Sequence, residues 1–551
     1  MRRALLCFII IICSLLLYVL FGAVSTSDFL KSAGLIYLIC IGPLNLLCTF
    51  QSTLRLGRSC SIGLLILFLF DAAIKSFLYA YYGLAPEAAM VLQSVFNTTS
   101  GEVGDFLMQN IGEIVEQVAL FLAITLVGIV SLQMMHRGES ARASAQDGCW
   151  MRIAGVLGTL ILIALHFNPT MRNANPVAFW MTHYREHKTD LASFRKMQSL
   201  MKNNAANLNA WTLRDEAGLQ RTVILIIGES ANRDNWSLYG YPRNTTPKLD
   251  ALRKEIVVFR DVISPAAFTQ DALKMLLTPA TIEHPDRWQT YPDVLMVAKS
   301  EGYKTFWLSN QTQATSADSF VSIITESADV KTFTNQGGRN VSPQDTILLP
   351  HVNAALADPS PLKFIVVHLW GQHFNYANRY PTDAAVFVST EDGVAQAMRA
   401  AGRSEAIIAR RNEYDNAVRY GDYVLGALIA AVAKVNGAVP TALVYVSDHG
   451  QEVGHHRDFS GHSANDETGY TVPLFFWSNA AYGAFAADKE TLEARPYQTD
   501  KMDTTLLDVL KIHSKNERPE YSLLDLSFAP FPRKINGQRY QMGQPLRPLL
   551  Q

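Results

Sequence analysis

The run Val223-Ile224-Leu225-Ile226-Ile227, followed at once by Gly228-Glu229-Ser230, is apolar at every position and then ends in a carboxylate. A strand with one solvated face alternates apolar and polar residues, so five consecutive apolar ones mark a strand buried on both faces. Comparable runs recur at 256–263, 305–308, 364–368 and 443–447, separated by helix-like stretches such as 291–301 and 413–434. Such strands alternating with helices predict an α/β domain with a mostly parallel sheet covered by helices on both faces. Ligands of these sheets bind beyond the carboxyl ends of the strands. Those ends carry Glu229 after the first run, Thr269 beyond the loop 264–268 after the second, His373 after the fourth, and Asp448 with His449 after the fifth.

Upstream the texture is different. Of the 551 residues 49% are hydrophobic, and the excess lies near the N-terminus. Five stretches, 4–23, 33–50, 61–83, 115–135 and 152–168, approach the ~20 apolar residues that cross a bilayer. A cleaved signal peptide is the rival reading of the first stretch, but no small-residue cleavage pattern supports it and more spans follow. The expected organisation is a five-helix transmembrane domain over 1–168, a polar connector with helical segments over 169–220, and an exported catalytic domain over 221–551. Arg2 and Arg3 precede the first span, Arg55 and Arg58 follow the second, and Arg137, Arg142 and Arg152 lie between the fourth and fifth, whereas the alternate loops hold only Lys31. The positive-inside bias then puts the N-terminus in the cytoplasm and everything after about 168 outside, the periplasm in a bacterium.

All six cysteines (Cys7, Cys13, Cys40, Cys48, Cys60 and Cys149) precede residue 150, so the exported domain has no internal disulfide and relies on its core. A formal net charge of −1 gives no footprint of a nucleic-acid partner.

Each strand-end residue has a plain structural reading. Glu229 can be a carboxylate favoured by a helix dipole, Asp448-His449-Gly450 a turn, Thr269 the cap of a helix over 270–277, and His462 with His455 and His456 loop histidines. Together they read differently, because Glu, Asp and His suit a divalent metal and a hydroxyl lies at the same sheet edge. A metal on Glu229, Asp448 and His449 with the Thr269 oxygen would activate that oxygen as a nucleophile. If Thr269 opens its helix, the helix N-terminus offers N–H groups to a phosphate. His373 and His462 could steady phosphate oxygens, complete a second metal site or protonate a leaving group.

These segments resemble a known family. Ile227-Gly-Glu-Ser-Ala-Asn-Arg-Asp234 with Ser237-Leu-Tyr-Gly-Tyr-Pro-Arg-Asn-Thr-Thr-Pro247 resembles the opening signature of bacterial phosphoethanolamine transferases of the alkaline phosphatase/sulfatase superfamily. His368-Leu-Trp-Gly-Gln-His373 with Asn378-Arg-Tyr-Pro381, and Ser447-Asp-His-Gly-Gln-Glu452 with Gly461-His462, are similar to its later histidine and metal segments. The resemblance covers about residues 1–530. It implies transfer of phosphoethanolamine from phosphatidylethanolamine onto Thr269 and on to a lipopolysaccharide (core heptose or lipid A) or another envelope glycan. It implies zinc, one ion or two, ahead of manganese or magnesium, held by Glu229, Thr269, Asp448 and His449, with His373 and His462 near the phosphate. The membrane part would present the lipid. Ser94, Thr98 and Glu102 match the places of a family segment that contacts the ethanolamine end, although Ser94 departs from the family's Asn; Asn310 joins this substrate-binding set.

The nucleophile segment Phe268-Thr-Gln-Asp-Ala-Leu-Lys-Met275 and the absence of cysteines in the exported domain look more like the core-heptose branch than the lipid A branch. Three rivals remain. A sulfatase needs a Cys or Ser in a Cys/Ser-x-Pro-x-Arg setting, which Ser264-Pro265 does not supply. A phosphoglycerol transferase of the lipoteichoic-acid-synthase type shares the five-helix plan and the threonine. A non-catalytic envelope-binding protein would be expected to have lost metal ligands, and none is missing.

Overall fold

The computed structural model describes residues 26–182 apart from 51, 83–110 and 138–144, single positions and pairs between 184 and 196, then 211–213, and 220–543 apart from 313–319, 336–343, 436, 484, 486 and 515–517. The described residues divide into two compact units, the N-terminal helices through Thr189 and the residues from Asp190 onward.

In the first unit, helix α1 (Thr26–Ile39) runs into a π-helical turn, Cys40–Leu44, and a last helical turn, Asn45–Thr49. Pro43 lies in the π turn, where its missing N–H breaks the regular ladder. The turn meets α4 (Ala145–His166) through small residues: a Cβ on Gly42 would lie 2.7 Å from the Thr159 nitrogen. Helices α2 (Leu54–Tyr82) and α3 (Ile111–Arg137) complete the described helices of this unit that reach 20 residues or approach it. Three segments are long and apolar enough to cross a membrane, Leu30–Leu47, Arg55–Ile74 and Cys149–His166, with a shorter apolar stretch at Val118–Ser131. They fall on the second, third, fifth and fourth expected spans. The first, 4–23, lies outside the described residues. Cys40, Cys60 and Cys149 are free thiols.

The second unit is built on a seven-stranded sheet. Its strands are β1 (Arg221–Gly228), β2 (Ile256–Phe259), β3 (Lys304–Thr312), β4 (Val330–Asn335), β5 (Leu362–His368), β6 (Thr441–Ser447) and β7 (Leu474–Ser478), in the spatial order β2-β7-β6-β1-β5-β3-β4. Only β7 runs against the others: it pairs antiparallel with both β2 and β6, and the remaining pairs are parallel. The sheet is therefore mostly parallel, as the apolar runs predict. Alternate β1 residues face opposite cores. Val223, Leu225 and Ile227 pack with α5 (Thr269–Leu277), α6 (Val294–Ser300) and α9 (Met502–Leu510), while Ile224 and Ile226 pack with α7 (Leu349–Leu356) and α8 (Glu405–Ala433). Each such side chain withdrawn from water contributes about 1.5–3 kcal/mol, which holds β1 at the centre.

Register then fixes the site. Ile227 lies opposite His368 on one side of β1, and Gly228 opposite Ser447 on the other, so Glu229, Leu369 and Asp448 leave the sheet at one level. One expected strand proves to be two pieces. The run 256–263 breaks at Arg260-Asp261, where the Arg260 N–H leaves the sheet for the Glu493 carbonyl; Val262–Ile263 instead pairs with Tyr497–Gln498. In the connector, Asn168 caps a short helix, Pro169–Asn173, and Trp211–Leu213 pairs with Ile512–Ser514.

Candidate active site

Glu229, Asp448 and His449 are fully buried, and one ligand atom from each lies within 4.8 Å of the others. The local backbone explains how. Ser230 takes φ +56°, a left-handed conformation that costs a serine roughly 1–2 kcal/mol and is held by its surroundings. Its N–H donates to Asp448 Oδ1 at 3.1 Å and its hydroxyl to Glu229 Oε1 at 2.7 Å. The Tyr414 hydroxyl, from α8, donates to the Ser230 carbonyl and accepts from the Asn232 N–H. The Asp448 N–H returns to the Gly228 carbonyl at 3.0 Å. Two loops from neighbouring strands are thus bonded to each other at the candidate metal-ligand positions.

His449 is oriented by its own chain. Nδ1 lies 2.8 Å from the Gly450 carbonyl and donates to it, which turns Nε2 toward the cluster. Nε2 is 3.3 Å from Glu229 Oε1 and 3.5 Å from Asp448 Oδ2. Thr269 is the first residue of α5, and its Oγ1 donates to Glu229 Oε2 at 3.2 Å and lies 3.3 Å from His449 Nε2. The residue before it, Phe268, makes no side-chain cap, and a helix N-terminus beside the Thr269 hydroxyl suits a phosphate.

The electrostatics ask for a cation. Burial and the neighbouring Glu229 charge push the Asp448 carboxyl up; burial pushes Glu229 up too, but the His449 hydrogen bond and the His449 and His373 charges outweigh it and hold Glu229 low. Burial works against a charged His449, yet the two carboxylates raise it to about 9. Asp448 Oδ2 has no hydrogen-bond partner in spite of its burial. Two buried carboxylates, one with an orphaned oxygen, and an imidazole whose Nε2 proton a cation would displace fit a divalent metal, and the hard and borderline donors suit zinc.

The two further histidines arrive from other elements. The His462 ring lies 4.6 Å from that of His449 and 6.2 Å from that of His373. Burial, with the His449 and His373 charges, drives His462 far down, so it is neutral, and its Nδ1 has no hydrogen-bond partner. His373 sits at the partly exposed rim against Trp370 and Phe374. Thr269, Glu229, Asp448, His449, His373 and His462 are therefore brought together. Asn310 is not presented in the same way: it is fully buried, its amide donates to Asp345 and its carbonyl accepts from Thr334. The next residue, Gln311, is the one that reaches the cluster, with Nε2 3.5 Å from Glu229 Oε2 and 2.7 Å from the Leu369 carbonyl. Its position one beyond Asn310 at the end of β3 was the only sequence signal for it. Ser94, Thr98 and Glu102 lie outside the described residues. His368 is a neutral core histidine, pushed down to about 4 by burial and packed edge-on against Trp307.

A family model described as Sulfatase matches residues 221–512. Phosphoethanolamine transferase EptC of Escherichia coli (strain K12) is 30% identical over 492 residues, covering 83% of this chain and 81% of that protein. The chain belongs to the phosphoethanolamine transferases of the sulfatase family. The crystal structure of the C-terminal periplasmic domain of E. coli EptC in complex with Zn matches this transferase with a TM-score of 0.55 and 31% identity, over 61% of the present chain and 94% of that one. The integral membrane protein lipooligosaccharide phosphoethanolamine transferase A from Neisseria meningitidis matches at TM-score 0.66 and 19% identity over 95% of the transferase and 98% of its own chain. That last likeness shows that the fold of helices followed by an α/β domain is shared.

Proposed function

We propose that this transferase takes phosphoethanolamine from phosphatidylethanolamine onto Thr269 and passes it to a lipopolysaccharide or another envelope glycan. The observation that carries the reading is the Thr269 hydroxyl, which opens α5 and faces both Glu229 and His449. Glu229, Thr269, Asp448 and His449 would hold a zinc ion, which would supply the Lewis acidity that lets a threonine hydroxyl ionise near neutral pH. In the first half-reaction the Thr269 Oγ–phosphorus bond forms as the phosphorus–oxygen bond to diacylglycerol breaks. The hydroxyl proton is lost to water, a loss that a cation held beside Oγ1 would favour. The α5 N–H groups and neutral His462 hold the phosphate oxygens, and His373 at the rim protonates the departing diacylglycerol oxygen. In the second half-reaction an acceptor hydroxyl attacks the same phosphorus, His373 takes its proton, and the Thr269 Oγ–phosphorus bond breaks as Oγ regains a proton from water.

The membrane helices of 1–168 present the lipid donor, with the N-terminus in the cytoplasm, five spans in the inner membrane, and the 221–551 domain in the periplasm. Arginines at 55, 58, 137, 142 and 152 support that orientation. Ser94, Thr98 and Glu102 are assigned to the ethanolamine end, where a carboxylate suits the ammonium. Release of diacylglycerol tests the reading. The detergent-purified protein, given zinc, should release it from phosphatidylethanolamine and not from phosphatidylglycerol, and Thr269→Ala should abolish release. Preference for phosphatidylglycerol would replace this donor with that of the phosphoglycerol transferases.

A further inference from the structure

Asp345 lies outside the metal cluster, yet its carboxylate governs how two of the site's loops meet. It opens the 3-10 turn Asp345–Leu348 that leads into α7, and it is nearly inaccessible to solvent. Oδ1 accepts from the Trp370 N–H at 2.8 Å and from Asn310 Nδ2 at 2.9 Å, and Oδ2 accepts from the Gly371 N–H at 2.9 Å. One buried carboxylate thus binds the end of β3 to the loop after β5. Burial raises the Asp345 carboxyl above its ordinary range, and the three N–H donors that converge on it oppose that shift by favouring the ionised form.

That loop is seated on Glu229. The Leu369 N–H donates to the Ile227 carbonyl at 3.0 Å and the Gln372 N–H to the Glu229 carbonyl at 2.9 Å. Gly371 crosses between them at φ +53°, so close that a Cβ there would lie 2.7 Å from the Glu229 carbonyl oxygen. Gln311, next to Asn310, donates to the Leu369 carbonyl and approaches the Glu229 carboxylate. His373 closes the same turn, its N–H on the Trp370 carbonyl. The Glu229 main chain, the Gln311 amide and the turn that carries His373 are therefore held by one loop, and Asp345 is the carboxylate that fixes its Trp370 and Gly371 N–H groups.

We infer that Asp345 is a positioning residue for phosphoryl transfer, setting the loop 369–373 that places Glu229 and His373 around the Thr269 hydroxyl. It touches neither substrate nor metal and acts through the loop alone. The inference rests on the proposed phospho-Thr269 intermediate. Asp345→Asn keeps the shape but turns an amide N–H toward one of the N–H donors, which releases one end of the loop. A displacement of about 1 Å at reacting groups costs roughly 100-fold in rate.

The test is single-turnover labelling of Thr269 in the full-length, zinc-loaded protein with phosphatidylethanolamine and no acceptor, reading rate constant and final amplitude separately. The rate constant does not depend on how much of a preparation is folded, so partial misfolding leaves the result readable. A positioning role predicts that Asp345→Asn labels to an amplitude equal to its folded fraction, at a rate constant lowered roughly 10- to 100-fold. Asp345→Glu, which keeps the charge at a shifted reach, should fall between. A purely structural role predicts reduced amplitude at the wild-type rate constant, and that result would overturn the inference. Absence of label on wild-type Thr269 would instead overturn the underlying reading of the reaction.

Discussion

A threonine hydroxyl is a weak nucleophile at neutral pH, so its use has to be justified by its neighbours. Here the neighbours are two carboxylates and an imidazole gathered in the interior, an arrangement unfavourable in isolation that a divalent cation makes favourable. Two expectations follow from that opposition. Glu229→Ala should abolish transfer while leaving the near-ultraviolet circular dichroism of the domain intact; transfer above a hundredth of wild type would remove Glu229 from the site. Asp448→Asn should also abolish transfer, and yet raise the melting temperature of the zinc-stripped protein at neutral pH, because it removes a carboxyl whose ionised form burial and the Glu229 charge disfavour in the fold but not in the unfolded chain. A lower melting temperature of the stripped variant would mean that the carboxylates are there for stability. Most of these residues were legible in the sequence because they follow apolar runs directly. Gln311 and Asp345 were not. Gln311 differs from its neighbour Asn310 only in which way it leaves the end of β3, and the partners of Asp345, Trp370 and Gly371, are 25 and 26 residues away.

The segment from Ser237 to Pro247 shows how a motif can be recognised for its pattern and still act through structure. It supplies no group to the metal cluster. Arg243 instead donates to Asp415 Oδ2 at 2.6 Å, to Asp392 Oδ2 at 2.8 Å and to Asn412 Oδ1 at 2.7 Å, tying the segment to α8. The Tyr414 hydroxyl that holds Ser230 belongs to the same helix. Removing the guanidinium leaves the fully buried Asp415 without its cation, which costs about 3–5 kcal/mol. Arg243→Ala should therefore shift the denaturant midpoint downward by a corresponding amount, while the protein that remains folded binds zinc with wild-type affinity. Weakened zinc binding in the folded fraction would give the segment a direct part in the site. Elements were legible where both faces are buried. The split of 256–263 was not, since nothing local says that Arg260 turns away to the Glu493 carbonyl. The run 474–478, apolar like the rest, went unread as a strand, and its antiparallel direction depends on pairing with β2 and β6.

At the scale of the molecule, sequence patterning separates an apolar N-terminal part from an α/β unit, and three of the described segments have the length and character of membrane spans. The strand order, in which β1 lies between β6 and β5, was not readable from single runs, although it is this order that brings Glu229 and Asp448 side by side. The α/β unit also carries buried charge away from its site. Burial pushes the Asp503 carboxyl on α9 up to about 7, against about 3.9 in an unfolded chain. Below the unfolded value both states hold the proton and there is no penalty; as pH rises toward 7 the unfolded chain ionises first and folding loses stability, with no further loss above. The gain in melting temperature from Asp503→Asn should thus grow between pH 4 and 7 and then level off. A gain that shrinks with rising pH would show the carboxylate to be stabilising. The central claim, that this chain transfers phosphoethanolamine through Thr269, is tested most directly by mass spectrometry of the zinc-loaded protein after incubation with phosphatidylethanolamine, with the adduct mapped to its residue. The account predicts phosphoethanolamine on Thr269 and on no other residue. Transfer to acceptor with Thr269 unmodified, or an adduct placed elsewhere, would contradict it.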